Sequence, residues 1–521
     1  MAPIPSRRSV LLASLAAVVP TNFAAARQGP PVARTTAGQV RGARDGAILA
    51  FKGIPYGADT RPRRFMPPIK PKPWRGIRAA LAYGPSCPQQ RPDGPNASED
   101  CLCLNVWTPA LRDGAKRPVM VYIHGGAYST GSGSADIYDG ANLCRRGNVV
   151  VVTLNHRLNA FGYLYLGMMD ERFADSGNAG QLDLILALEW VRENIAEFGG
   201  DPSAVMVFGQ SGGGAKIATL MAMPAAKGLF HRAATMSGQQ LTASGPLHAT
   251  QRAEAFLTAL GMTRKNLGDL NTIAGDRIVR ALATTDPIIG SGGVYFGPVL
   301  DFRSLPRHPF YPDAPAQSAA VPMMIGNTHD ETRAFITDPG IYMLRWDELP
   351  ARLAANMRVD IDPAIVIAQY KAWFPSISPT DLFFKATTAS RSWRAAIVED
   401  ELRAVAGTPA FAYQLDWPCP DDKRRAQHMT DIPLAFDNTD KPDAITGNSQ
   451  TARAMAAIMS ETFIAFARTG NPNNTLIPAW TPYSLALRET MVFDLPPRLE
   501  NDPRGRERRL FEQVPFIQQG T

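Results

Sequence analysis

The sequence predicts an α/β fold, a central and mostly parallel sheet flanked by helices, with large cap insertions in a single domain over residues 27–521. Three observations predict it. The apolar runs at 118–123, 148–154 and 205–208 are continuous rather than alternating, as in strands buried on both faces. Between the second and third lies a helical pattern, with Leu182, Ile185, Leu186, Trp190 and Val191 on one stripe. The third run enters Gly209-Gln210-Ser211-Gly212-Gly213-Gly214 and a further helical stretch, an order of strand, tight turn and helix.

Taken along the chain, Val32 to Phe51 reads as short strands broken by Gly38, Gly42 and Gly46, an N-terminal hairpin region. Five prolines between Pro62 and Pro73 then require an extended loop. Core strands follow at 102–107, 118–123 and 148–154, and the helix after them is closed by Gly199-Gly200 and Asp201-Pro202. Residues 240–320 mix short helices with Gly and Pro loops, as a cap would. A buried strand returns at 321–326, helices at 350–407, a strand at 411–415, a long helix at 452–469 and a final strand at 490–493. No linker divides two folds.

The N-terminus carries Arg7-Arg8, an apolar run to Val19 and Ala24-Ala25-Ala26, the pattern of a twin-arginine export signal over residues 1–26. About ten apolar residues are too few to span a bilayer, which needs about twenty, so no stable membrane insertion is expected. Export to the periplasm or beyond follows as the expectation. Cleavage would remove Arg7 and Arg8 and bring the net charge from +7 to +5. Basic residues are scattered apart from Arg504 to Arg509, read as a solvated tail, so no nucleic-acid partner is expected.

Five cysteines, at 87, 101, 103, 144 and 419, are too few and too irregular for a disulfide scaffold or a zinc site, and no metal or cofactor is expected. In an exported protein a Cys87–Cys101 bridge would close a short loop and contribute about 3 kcal/mol. Cys103, two residues on in a strand, faces the same way as Cys101 and competes for it.

A Gly-x-Ser-x-Gly pattern means little in a chain with 43 glycines, and its context carries the weight. A strand-to-helix elbow strains the serine, and glycines two positions before and after it let the backbones approach. Ser211 is therefore the candidate nucleophile. A serine hydroxyl needs a base, and the base needs a carboxylate to set its tautomer. Of seven histidines, the order serine, acid, histidine excludes His124 and His156 and favours the last, His428, in a loop after a strand. Asp330 and Glu331, just after the strand at Ile325, compete as the acid, with Asp301 a third candidate. The turn His124-Gly125-Gly126-Ala127, at the end of a buried strand, can offer the N–H groups of Gly126 and Ala127 to an oxyanion, joined by that of Gly212.

These residues resemble the α/β-hydrolase fold and, within it, the type-B carboxylesterase family of bacterial para-nitrobenzyl esterases and cholinesterase-like serine esterases. Glu99-Asp100-Cys101-Leu102-Cys103-Leu104-Asn105-Val106 is similar to one family signature, and Phe198-Gly199-Gly200-Asp201-Pro202 leading into the elbow is similar to the other. The likeness spans nearly all of the chain after residue 26. It implies a serine carboxylesterase acting on a small-molecule ester, with Ser211 as nucleophile, Glu331 as acid, with Asp330 left as a surface or turn residue, and His428 as base. It also implies oxyanion donors at Gly126, Ala127 and Gly212, a Cys87–Cys101 disulfide, and Ser237 as a serine beside the acid. The elbow departs from the family, with Gln210-Ser211-Gly212 where Glu-Ser-Ala is frequent, which gives the donor at 212 more freedom. Leu184 after Asp183 and Thr332 after Glu331 also depart from the usual residues.

Some relatives are adhesion proteins without the serine. Retention of all three candidates for the triad argues against a purely binding role. A carbamate, amide or thioester would use the same groups. Cap loops near Thr284 to Phe296 and Phe335 to Trp346 are expected to shape the pocket, with Tyr295, Phe296, Phe335 and Tyr342 as aromatic lining. Sequence leaves the oligomeric state and the physiological ester open.

Overall fold

The structure, a computed structural model, describes residues 1, 29–91, 96–336 and 338–521. The expected export signal falls almost wholly on residues 2–28, outside the described residues. In chain order the strands are β1 (Val32–Arg34), β2 (Gln39–Arg41), β3 (Ala43–Asp45), β4 (Ile48–Pro55), β5 (Ile77–Ala79), β6 (Cys103–Thr108), β7 (Arg117–Ile123), β8 (Val150–Leu154), β9 (Gly200–Gln210), β10 (Arg232–Met236), β11 (Met323–Thr328), β12 (Ala410–Leu415), β13 (Glu489–Phe493) and β14 (Arg498–Asn501). Eleven form one sheet in the order β14-β13-β12-β11-β10-β9-β7-β8-β6-β4-β3, and β1, β2 and β5 form a small second sheet.

From β8 to β13 every neighbouring pair is parallel, and the two ends are antiparallel. The continuous apolar runs explain this centre. Val119, Val121, Val205 and Val207 pack into one core, whereas Met120, Tyr122, Met206 and Phe208 pack into another on the opposite face. Each strand thus feeds both layers, as a sheet sandwiched by helices requires. The helices Ala179–Asn194 and Gly212–Leu220 contribute to the first core, and the long helix Gln450–Thr469 to the second. A third core, with Leu353, Tyr370 and Phe383, lies within the helical cap.

Three expectations are corrected. β9 starts at Gly200, not near Val205: Arg117 pairs with Gly200 and Val119 with Val205, so Asp201-Pro202 forms a bulge inside the strand instead of a closing turn. The chain does not end its regular structure at 490–493, since β14 and the helix Gly505–Phe511 follow. Nor are Arg504 and Arg508 a solvated tail. Arg504 donates to Glu507 at 3.0 Å, Arg508 pairs with Asp502 at 2.9 Å, and both are buried while Leu510 and Phe511 anchor the helix in the cap core.

No disulfide is formed among the five cysteines, and the Cys87 and Cys101 thiols lie side by side. That contact, with burial, holds the Cys101 thiol well above its ordinary range. Cys103 does not compete for Cys101. The Cys103 N–H donates to the Cys101 carbonyl at 2.7 Å in a tight turn that breaks the strand alternation, and the Cys103 sulfur lies 3.6 Å from the Asn155 amide.

Candidate active site

Ser211 stands between β9 and the helix Gly212–Leu220 with φ 57° and ψ −128°, a conformation costing a non-glycine residue about 1–3 kcal/mol. Neighbouring backbone holds it there. Its N–H donates to Met236 O at 2.7 Å, and its carbonyl accepts the Ala215 N–H at 3.1 Å. The flanking glycines are sterically required: a Cβ on Gly213 would overlap the Ile123 carbonyl oxygen, and one on Gly209 would sit 2.7 Å from the Gly213 carbonyl carbon.

Glu331 opens a short 3-10 turn after β11, and His428 sits in the loop between β12 and the helix Asp431–Ala435. The structure brings them together, with His428 Nδ1 hydrogen-bonded to Glu331 Oε2. The other carboxylate oxygen accepts the Thr328 N–H at 2.9 Å. Burial alone would raise the Glu331 pKa, but the His428 charge and hydrogen bond outweigh it and hold the carboxyl below its ordinary range. Ser237 lies close enough to add to that lowering, although its buried hydroxyl makes no hydrogen bond of good geometry. The Phe335 ring covers the imidazole, centroids 4.5 Å apart. On the far side, His428 Nε2 faces the Gln210 amide nitrogen at 3.0 Å.

The competing carboxylates are engaged elsewhere. Asp330 is not a surface residue: it is buried, 2.9 Å from His329 Nδ1 and 3.3 Å from Arg333 Nε. Burial opposes its ionisation, yet those two partners bring its pKa down to about 2. Asp301 binds Asn178 at 2.9 Å and caps the Arg303 and Leu305 N–H groups.

Gly126 (φ 81°) and Ala127 (φ 51°) form a turn closed by the Ser129 and Thr130 N–H groups, which donate to Gly126 O at 3.1 and 3.0 Å. Gly212 is packed directly on this turn. A Cβ there would overlap the Ala127 carbonyl, so the glycine that sequence reads as freer is sterically confined. Below it, Lys216 Nζ donates to the His124 carbonyl at 3.1 Å. Lys216 is 0% exposed, and desolvation lowers its pKa to about 7. The His124 ring stacks on His156 at 4.7 Å, and burial, with the Lys216 charge, keeps both imidazoles neutral.

A cleft of about 170 Å³ opens onto Ser211, with Ala127, Gly212 and Ser237 in its wall. Tyr295 lines it, whereas Phe296 packs on Phe256 at 5.5 Å and Tyr342 on Phe384 at 5.9 Å. Among the described residues no group of three His, Cys, Asp or Glu could hold a metal ion, and no helix is long and apolar enough to cross a membrane.

The sequence profile described as "Carboxylesterase family" matches residues 29–344 and 381–511. The chain belongs to the carboxylesterase family. It is a carboxylic ester hydrolase with the α/β-hydrolase fold. The para-nitrobenzyl esterase of Bacillus subtilis (strain 168) is 35% identical over 501 residues, covering 92% of this chain and 98% of that relative. The phenmedipham hydrolase of Pseudarthrobacter oxydans is 32% identical, covering 87% and 93%. The crystal structure of carboxylesterase EST55 from Geobacillus stearothermophilus superposes with a TM-score of 0.82 at 36% identity, covering 92% of this chain and 99% of that one.

Several groups of this carboxylesterase site escape sequence reasoning. Gln210 and Lys216 flank the serine by one and five positions, and a polar residue among buried neighbours was the only signal. Asp431, whose Oδ2 accepts the Tyr413 hydroxyl at 3.1 Å, is buried beside Glu331 and His428. Arg358 reaches the cleft from the bend after the helix Leu349–Asn356 and Arg391 from the turn before the helix Ser392–Val405, and nothing local marks them.

Proposed function

We propose that this carboxylesterase is an exported serine enzyme that cleaves small carboxylic esters through an acyl-enzyme on Ser211. One observation carries the reading: His428 holds Glu331 through Nδ1 while Nε2 faces the elbow that bears Ser211. With the proton on Nδ1, Nε2 exchanges the Gln210 amide for the Ser211 hydroxyl and takes its proton as Oγ attacks the ester carbonyl. The oxyanion is held by the N–H groups of Gly126, Ala127 and Gly212. Collapse breaks the C–O bond, and His428 returns the proton to the departing alcohol. Water, deprotonated by the same nitrogen, then releases the acid and restores Ser211.

The names of the relatives make para-nitrobenzyl esters reasonable first substrates. Export rests on Arg7-Arg8, the apolar run and the alanine site. The adjacent Cys87 and Cys101 thiols are then placed to be oxidised to a disulfide outside the cytoplasm. The test is turnover of p-nitrophenyl acetate and butyrate by the purified protein and by Ser211→Ala. The variant should lose at least about 10³-fold in kcat while keeping its fold. Undiminished turnover would refute the nucleophile.

A further inference from the structure

The cleft at Ser211 has an unusual charge. Its wall includes two arginines, Arg358 and Arg391, and no Asp or Glu. Among the described residues neither guanidinium forms a salt bridge. Arg358 donates only to the neutral Gln519 side chain, at 2.8 Å, and Arg391 makes no side-chain hydrogen bond, lying over the Phe335 ring at 5.6 Å. Phe335 in turn covers His428, which places Arg391 one ring away from the imidazole. The carboxylate that acts on Arg391, Glu331, is committed to His428. The two cations also act on each other: burial, followed by the Arg358 charge, lowers the Arg391 pKa to about 10.

A second observation points to a ligand. Gln239 lines the same cleft and is 7% exposed, yet both its amide oxygen and its amide nitrogen lack partners. Buried amides left unpaired are destabilising, and such groups in a cleft await a polar ligand. The first turn of the helix Ser392–Val405, through Ser392 and Ala395, adds the positive end of a helix dipole. The volume, about 170 Å³, is below the roughly 300–1,000 Å³ of sites for drug-sized ligands, so the cleft suits one short arm of an ester.

We propose that Arg358 and Arg391 bind a carboxylate carried by the substrate itself, so that the preferred ester has an anionic group a few atoms from the scissile bond. The inference rests on the reading of Ser211 as the esterase nucleophile and specifies its substrate class. An arginine pair in a partly desolvated cleft suits a planar carboxylate, which accepts parallel N–H bonds from guanidinium groups. The Gln239 amide would donate to the same anion. The carboxylate can sit on the acyl arm, as in a dicarboxylic monoester, or on the alcohol arm.

Matched pairs test this. Mono-4-nitrophenyl glutarate against 4-nitrophenyl pentanoate probes the acyl arm, and 3-(butanoyloxy)propanoate against propyl butanoate probes the alcohol arm. At about 20 mM salt, kcat/KM should favour the anionic member of one pair by about tenfold or more, and about 1 M salt should shrink that ratio. The ratio should collapse in the Arg358→Gln/Arg391→Gln double variant and be better kept in Arg391→Lys, each compared at equal thermal stability. Preference for the neutral member in both pairs, or an anionic preference that survives the double variant, overturns the carboxylate site while leaving the esterase reading in place. Absence of turnover for all four esters overturns both.

Discussion

His428 Nε2 and the Gln210 side-chain amide face each other at 3.0 Å, so the residue just before the serine caps the nitrogen that accepts the serine proton in the proposed mechanism. With the proton on Nδ1 for Glu331, the Gln210 amide is the donor to Nε2. Gln210→Glu replaces this donor with a second carboxylate beside the imidazole, which favours its protonated form. The acid limb of the kcat/KM profile should move up by about one pH unit. An unmoved profile would show that residue 210 does not address the imidazole.

Gly212 and Ala127 are in backbone contact, so Gly212→Ala should push the turn that carries Gly126 and Ala127 away from the serine. Losing one oxyanion donor typically costs about 10²–10³ in kcat, and a displaced turn should cost at least about tenfold. KM should change little, because the effect falls on the transition state. Steady-state kinetics on p-nitrophenyl butyrate separates the two.

Lys216 links stability to pH. Its folded pKa of about 7 lies below the ordinary 10.5, so between those values the unfolded chain binds a proton that the folded chain does not. Stability contributed by this group therefore rises with pH across that window. Lys216→Met should flatten the rise in urea midpoint between about pH 7.5 and 10. It should also lower kcat, since the His124 carbonyl at the start of the proposed oxyanion turn loses its donor.

Asp431 has the opposite sign. Burial first, and then the Glu331 charge, raises its pKa to about 7, so between the ordinary carboxyl range and 7 the folded chain holds a proton that the unfolded chain releases. This contribution is present at low pH and lost as pH rises through 7. Asp431→Asn should remove that dependence and raise the melting temperature at about pH 8 more than at pH 5. Equal shifts at both values would mean that Asp431 is already ionised.

The sequence by itself determined the sheet, the elbow and the order of the candidate site, because these are local or additive properties. Continuous apolar runs report burial on both faces, glycines at 209 and 213 report a close approach, and Ser211, Glu331 and His428 follow in one order along the chain. Other features came only with the tertiary structure. Asp330 and Glu331 are adjacent and chemically alike, and the turn after β11 decides which one meets His428. The arginines at 504 and 508 look like a solvated tail until Asp502 and Glu507 are folded onto them. Arg358, Arg391 and Gln239 share one cleft across more than a hundred residues of chain, and no local pattern encodes their meeting. Side-chain periodicity carries information over a few residues, whereas electrostatic environment depends on which distant segments the fold packs together.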